Sequence, residues 1–211
     1  MTTSDETPSL LPLFPLPDTV LFPGMPLPLH VFEPRYRKMV ADALATHHTI
    51  GMTLLRPGWE EEYEGRPPIY PIGCSGVIAR HERLEDGRYN LVLRARSRFR
   101  ILAEHEGEPY RVAAVEGLPD RTGDAAALDG LRRRVLDTIA RAADGPAALV
   151  LQGELPHDLL VNALCQSLSL PAVEKQSLLD CDTLEGRYAR LAEILEFHIL
   201  EKAAGTGTSV H

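Results

Sequence analysis

Residues 11–36 read LPLFPLPDTVLFPGMPLPLHVFEPRY, and this stretch limits the possible folds more than any other part of the chain. It carries seven of the 17 prolines, set among apolar side chains. Each proline lacks a backbone donor and pushes its predecessor toward extended geometry, which excludes a helix here. The spacing predicts two short strands, residues 11–16 and 27–32, joined by a loop that turns at Pro23-Gly24. Proline restricts such strands to sheet edges, or to positions where the missing N–H faces no neighbour. At Pro34 the pattern changes. Proline suits the first turn of a helix, and Tyr36, Met39, Val40, Ala43 and Leu44 then recur at helical spacing.

Further strands follow. Residues 49–56 (TIGMTLLR) read as a buried strand closed by Pro57-Gly58. Residues 59–68 form an acidic loop, with the single tryptophan, Trp59, at its edge. Residues 69–84 hold a strand interrupted by Gly73 and Gly76, which signals a bulge or a close backbone approach. Asp86-Gly87 then marks a hairpin. The return run alternates: Leu91, Leu93, Ala95, Ser97, Phe99 and Ile101 share one face, and Arg94, Arg96, Arg98 and Arg100 share the other. A last strand covers residues 110–118. Several short strands with little helix between them favour a closed or nearly closed antiparallel barrel.

Residues 119–124 (PDRTGD) mark a boundary, beyond which the periodicity is helical. Leu128, Leu131, Val135, Leu136 and Ile139 define one helix, and Leu159, Leu160, Ala163, Leu164 and Leu168 another. Residues 149–155 are ambiguous. Pro171 opens a short helix, and Thr183 caps a last one with Leu184, Tyr188, Leu191, Leu195 and Ile199 on its buried side. The expected fold class is therefore α+β, with a β-rich module over residues 9–118 and a helical bundle over 125–204. Residues 1–8 and 205–211 are expected to be disordered. Limited proteolysis should cut in the link at 119–124 or in the tail after Ala204.

The run LPLFPLPDTVLFPGMPLPLHVFEPRYRKMV closely resembles the opening of the Lon amino-terminal domain, the substrate-binding region that precedes the ATPase and peptidase of Lon proteases. This domain type also occurs as a stand-alone bacterial protein, beside RING fingers, and in the cereblon family. The resemblance extends over approximately residues 11–200. It implies a PUA-like antiparallel β pseudobarrel with one helix, followed by a C-terminal α-helical bundle. The family's Gly-x-x-Arg feature appears as Ala95-Arg96-Ser97-Arg98, with Arg98 kept and the glycine replaced by Ala95, a departure that bears on local strand geometry.

Several chemistries are excluded. None of the three lysines follows glycine, so no P-loop exists in this sequence. His81-Glu82-Arg83-Leu84-Glu85 fails as a zinc-protease motif at its fifth position, and Gly73-Cys74-Ser75-Gly76 has the wrong spacing for a serine nucleophile. Cys74, Cys165 and Cys181 form no C-x-x-C pair and read as reduced, buried thiols. No metal or cofactor is expected, and no enzymatic activity. The net charge of −8 argues against nucleic acid as a partner, and the polar N-terminus and lack of a long apolar run argue against export or a membrane. A cytoplasmic location is the expectation.

The resemblance implies a module that recognises unfolded or exposed polypeptide segments, serves as an adaptor in protein quality control, and works beside an ATP-dependent protease. Leu21, Phe22 and Met25 of the proline-rich loop, with Trp59, are the candidate contact residues, giving recognition that does not depend on positive charge. His30, Glu33, Arg35 and Arg98 are read as a polar structural network holding the first helix against the barrel. His47-His48 is read as a cationic pair at a helix end. A solvated arginine face balances the acidic loop. The alternative reading is a PUA-like RNA- or small-ligand-binding protein.

Overall fold

The computed structural model describes residues 8–62, 65–106, 109–142 and 155–206. The described strands are β1 (Leu10–Leu16), β2 (Pro26–Val31), β3 (Thr49–Leu54), β4 (Ile72–Arg83), β5 (Tyr89–His105) and β6 (Arg111–Leu118). Helix α1 (Pro34–Ala45) lies between β2 and β3. The helices α2 (Ala125–Ala142), α3 (His157–Ser167), α4 (Ala172–Leu179) and α5 (Leu184–Thr206) follow the strands. A 3₁₀ turn covers Trp59–Glu62. Most of the ambiguous segment 149–155 lies outside the described residues, as do the ends 1–7 and 207–211. Helix α5 runs two residues into the tail expected to be disordered.

The sheet order is β2-β5-β4-β3-β1-β6, and β5 pairs with β6 as well, so five strands close into a ring with β2 attached outside it. One edge of β5 is covered by β4. The other is shared: β2 pairs with Tyr89 to Arg94, and β6 pairs with Arg98 to His105. The sheet is mixed rather than antiparallel, because β1 and β3 run parallel. Parallel neighbours need a long crossover, which β2 and α1 provide here.

The prolines sit where the sequence required, although β1 is an interior strand. The Leu16 carbonyl accepts from Leu55 on the β3 side and the Ser9 carbonyl from Val115 on the β6 side. Even-numbered backbone groups of β1 thus face β3, and odd-numbered ones face β6. Pro12 faces β3 ahead of the register that begins at Leu13, and Pro15 faces β6 beyond the register that ends at Leu13. Neither missing N–H interrupts a ladder. In β2, Met25 and Gly24 bond Ala95 of β5, so Pro26 and Pro28 point to the free edge.

Gly73 answers to close packing: a Cβ there would collide with the Met52 carbonyl and the Phe99 ring. The β4–β5 register slips between Cys74 and Gly76, where the β5 strand carries an extra residue at Arg96-Ser97. Leu11, Leu13, Phe99, Ala113 and Val115 fill one end of the ring. A second, larger core runs without a break from Leu21, Phe22, Met39 and Leu93 of the strand region to Leu160, Leu164, Tyr188 and Leu191 of the helices. Thr183 caps α5, its Oγ1 accepting the Gly186 N–H at 3.0 Å.

The link between β6 and α2 is fastened. The Arg121 carbonyl accepts the Leu184 N–H at 2.8 Å, and Glu185 accepts the Asp124 N–H at 2.9 Å. These bonds and the shared core stand against easy cleavage there. The His47-His48 reading also needs correction. Burial pushes the His47 imidazole down, and its Nδ1 accepts the Thr49 N–H at 3.1 Å, the role of a neutral ring. His48, two residues past the Thr46 cap of α1, is left-handed at φ 56° and its N–H returns to the Ala43 carbonyl at 2.8 Å.

Candidate functional site

Phe22-Pro23-Gly24-Met25 forms a tight turn, with the Met25 N–H bonded to the Phe22 carbonyl at 3.1 Å and Gly24 at φ 81°. Proline followed by a positive-φ glycine is the type II signature. The turn is clasped by α3. Gln166 Oε1 accepts the Phe22 N–H at 3.1 Å, and Asn162 Nδ2 donates to the Pro23 carbonyl at 3.1 Å. Leu21 and Phe22 are 1% and 0% exposed, so they anchor the turn in the core and present nothing to a partner. That corrects their assignment as contact residues. Met25 is half-buried, packed against the same core. Trp59 opens the 3₁₀ turn, half-buried, and does not line the surface described below.

The polar residues separate in the same way. His30, exposed on β2, bonds Asn90 through Nδ1 at 2.7 Å, and Arg88 lies 3.3 Å from its Nε2. A neutral ring protonated at Nδ1 satisfies both contacts. Glu33 and Arg35 pair at 3.0 Å at the start of α1, with the Arg35 guanidinium over the Tyr36 ring. Arg98 joins neither group. It leaves the solvated arginine face altogether, 1% exposed. Its Nε donates to Asp120 Oδ1 at 2.7 Å and its Nη1 to the Leu179 carbonyl at 3.1 Å.

What fixes the helices against the barrel is a cluster that sequence reading missed. Arg187 of α5, 0% exposed, donates to both Asp120 oxygens at 2.9 and 3.0 Å, to the Leu178 carbonyl, and to Asn162 Oδ1 at 2.5 Å. Burial alone would raise the Asp120 carboxyl, but the guanidinium groups of Arg187 and Arg98 outweigh it and hold the carboxyl below its ordinary range. Through Asn162 the cluster reaches the Pro23 carbonyl, so α5, β5 and the proline-rich turn form one hydrogen-bonded unit. One signal was available: Arg187 falls on the apolar stripe of α5 between Leu184 and Leu191.

Above this cluster lies a cleft of about 390 Å³. It exists because β2 stops pairing at Arg94 and β6 starts at Arg98, leaving part of that edge of β5 without a strand. It is lined by Pro23 and Gly24 of the turn, by Asp158, Leu159 and Asn162 of α3, by residues 94–98 of β5, and by Leu118 and Asp120. A side chain at Gly24 would press on Leu159. The cleft therefore combines apolar and charged side chains. Among the described residues no three His, Cys, Asp or Glu side chains gather as metal ligands.

The model of the ATP-dependent protease La (LON) substrate-binding domain matches residues 10–196. The chain belongs to the Lon substrate-binding domain family. Lon proteases of Dictyoglomus thermophilum and Anaeromyxobacter dehalogenans are each 28% identical, over 95% and 90% of this chain. The chain spans only 26% and 23% of those relatives' own lengths. Among solved structures, a Lon N-terminal domain protein from Xanthomonas campestris is 26% identical with a TM-score of 0.60, covering 89% of this chain and 97% of that one. The N-terminal domain of a Mycobacterium avium complex Lon protease, 19% identical, has a TM-score of 0.69 over 90% and 99%. This last likeness speaks to the fold alone. No described helix of this Lon-type domain is long and apolar enough to cross a membrane.

Proposed function

We propose that this chain is a non-catalytic polypeptide-recognition module, and that the cleft between the proline-rich turn and α3 is where it holds exposed segments of other proteins. The observation that carries the reading is the family match, which extends through the elements that build the cleft. The ring of strands is read as a PUA-like pseudobarrel. In this reading the protein acts in the cytoplasm as an adaptor in quality control, delivering clients to an ATP-dependent protease. The cleft suits the role physically. Leu159 is 36% exposed beside Gly24 of the turn, whose Pro23 carbonyl is held by Asn162, itself held by Arg187.

The test is Leu159→Ser, which removes apolar surface without opening the core. Binding of dephosphorylated casein, followed by fluorescence anisotropy, should weaken roughly 5- to 30-fold, the effect of losing about 1–2 kcal/mol of apolar contact. Circular dichroism should be unchanged. Casein binding untouched by this substitution would remove the cleft as the site. ATP-dependent cleavage of casein by the pure chain, abolished by a point mutation within it, would refute a non-catalytic role.

A further inference from the structure

The cleft opens past Arg94 onto a second groove, of about 550 Å³, on the outer face of β2, β5 and β4. The register sets its side chains in rows across the three strands. Pro26 lies beside Arg94, Pro28 and Arg80 lie on either side of Val92, and His30 and Glu82 on either side of Asn90. Phe32 is 60% exposed, and its ring stacks beside the His30 imidazole with centroids 6.3 Å apart, which places it on the same face. From Pro26 to Phe32 this exposed track is roughly 20 Å long. Arg80 and Arg94 are exposed and make no ion pair or side-chain hydrogen bond among the described residues. They are diagonal neighbours roughly 7–8 Å apart on either side of Val92, so both guanidinium groups can reach one carboxylate laid over it. Strand addition is not the mode of contact here, because Pro26 and Pro28 remove two donors from the free edge of β2.

We infer that a polypeptide held in the cleft runs on across this face as an extended segment of about six further residues. One acidic side chain lies over Val92 between Arg80 and Arg94, and an apolar one four residues away lies against Phe32. The four-residue interval is that between Pro28, the row partner of Val92, and Phe32. This inference rests on the proposed polypeptide-binding role and gives its ligand a length and a charge preference. It departs from the expectation of charge-independent recognition, whose basis was an exposed Leu21 and Phe22. Single-stranded RNA would also bring negative charge, and a base could stack on Phe32. Its phosphates recur at every step, however, and Glu82 stands in the next row beyond Arg80. A segment with a single acidic residue is the better fit.

The experiment uses the full chain and fluorescence anisotropy with four probes. The first is a 12-residue peptide carrying a leucine for the cleft, then a glutamate, then a second leucine four residues after the glutamate, made in both sequence orders. The second has lysine in place of glutamate, the third is a five-residue peptide around the first leucine, and the fourth is a 12-nucleotide single-stranded RNA. At low salt the long Glu peptide should bind roughly tenfold tighter than the short one and than the Lys peptide, the charge preference fading as salt rises. Phe32→Ser should weaken the long peptides roughly fivefold and leave the short one unchanged. Arg80→Glu should abolish the preference for glutamate over lysine. Both side chains are exposed, so the circular dichroism spectrum should not change. Leu159→Ser should weaken long and short peptides alike. If length brings no gain, or if Phe32→Ser and Arg80→Glu leave the long peptide untouched, the path across this face is wrong while the recognition role stands. Equal binding of the Glu and Lys peptides would remove the charge preference. If the RNA binds more tightly than the Glu peptide and loses that binding in Arg80→Glu, the ligand class is wrong. If neither peptides nor dephosphorylated casein bind the unaltered chain, the recognition role itself fails.

Discussion

Replacing Asp120 with asparagine keeps the side chain's shape and removes its charge, which makes it a direct probe of the barrel–helix junction. Three guanidinium N–H groups converge on this carboxylate, at 2.7 Å from Arg98 and at 2.9 and 3.0 Å from Arg187. The arginine side chains are 2% and 0% exposed, so water cannot replace the lost partner. Breaking a buried pair from one side costs about 3–5 kcal/mol, and the 17% exposure of Asp120 places this case toward the lower end, about 3–4 kcal/mol. At about 2–4 °C per kcal/mol for a chain of this size, the Tm should fall by roughly 6–16 °C. The carboxyl is held below its ordinary range when folded, so its contribution is complete above the unfolded value near 4 and is lost as pH falls through the lower folded value. Thermal melts of the two proteins should therefore stay apart from pH 7 to about 5 and converge below about 4. A variant within about 1 kcal/mol of the unaltered protein at pH 7 would refute this account, as would a gap that widens on acidification.

Phe22→Ser/Met25→Ser should unfold or strongly destabilise the chain, because truncating a fully buried phenylalanine alone costs about 3–5 kcal/mol; a native circular dichroism spectrum and Tm would show that the turn is not anchored as described. Trypsin should leave the bond after Arg121 intact under native conditions, since the Arg121 carbonyl and the Asp124 N–H are bonded to Leu184 and Glu185; an early fragment ending at Arg121 would contradict this. Only Cys181 should react with a thiol reagent in the folded protein. Cys74 and Cys165 are fully buried, and burial pushes the Cys165 thiol up to about 12, so two of the three thiols should appear only on denaturation.

The strand positions were legible because proline, glycine and period-two alternation act locally. Pro23-Gly24 dictated its own turn, and Asp86-Gly87 its own hairpin. Thr183 likewise declared the start of α5. The parallel partnership of β1 with β3 was not legible, since two proline-bearing strands in succession look like neighbours whether or not they pair. The inward burial of Leu21 and Phe22 depended on α3, which lies more than a hundred residues later in the chain. Asp120 was read as part of a polar linker because Pro-Asp-Arg has the composition of a surface turn. Its partners, Arg98 and Arg187, lie 22 and 67 residues away. A buried guanidinium is tolerated only where distant groups meet it, so its burial cannot be deduced from its own neighbourhood. Gly73 and Gly76 signalled the slip in register, but not that the extra residue would sit on β5 at Arg96-Ser97, where the alternation of the sequence runs on unbroken.

Of the described strands, β1 is synthesised first and is among the last to be completed. Its partner β6 ends at Leu118, so at translation rates of ~5–20 residues per second, roughly 5–20 s separate the two during synthesis. Throughout that interval Leu11 and Leu13 have no Ala113 or Val115 to pack against. A bare apolar strand waiting at a ribosome invites pairing with any other nascent chain. Pro12 and Pro15 deny such an intruder a continuous ladder on either edge, because each removes a donor from a different side. The two imino nitrogens that the finished ring accommodates in its gaps thus guard the newborn strand against the wrong partner until the right one arrives.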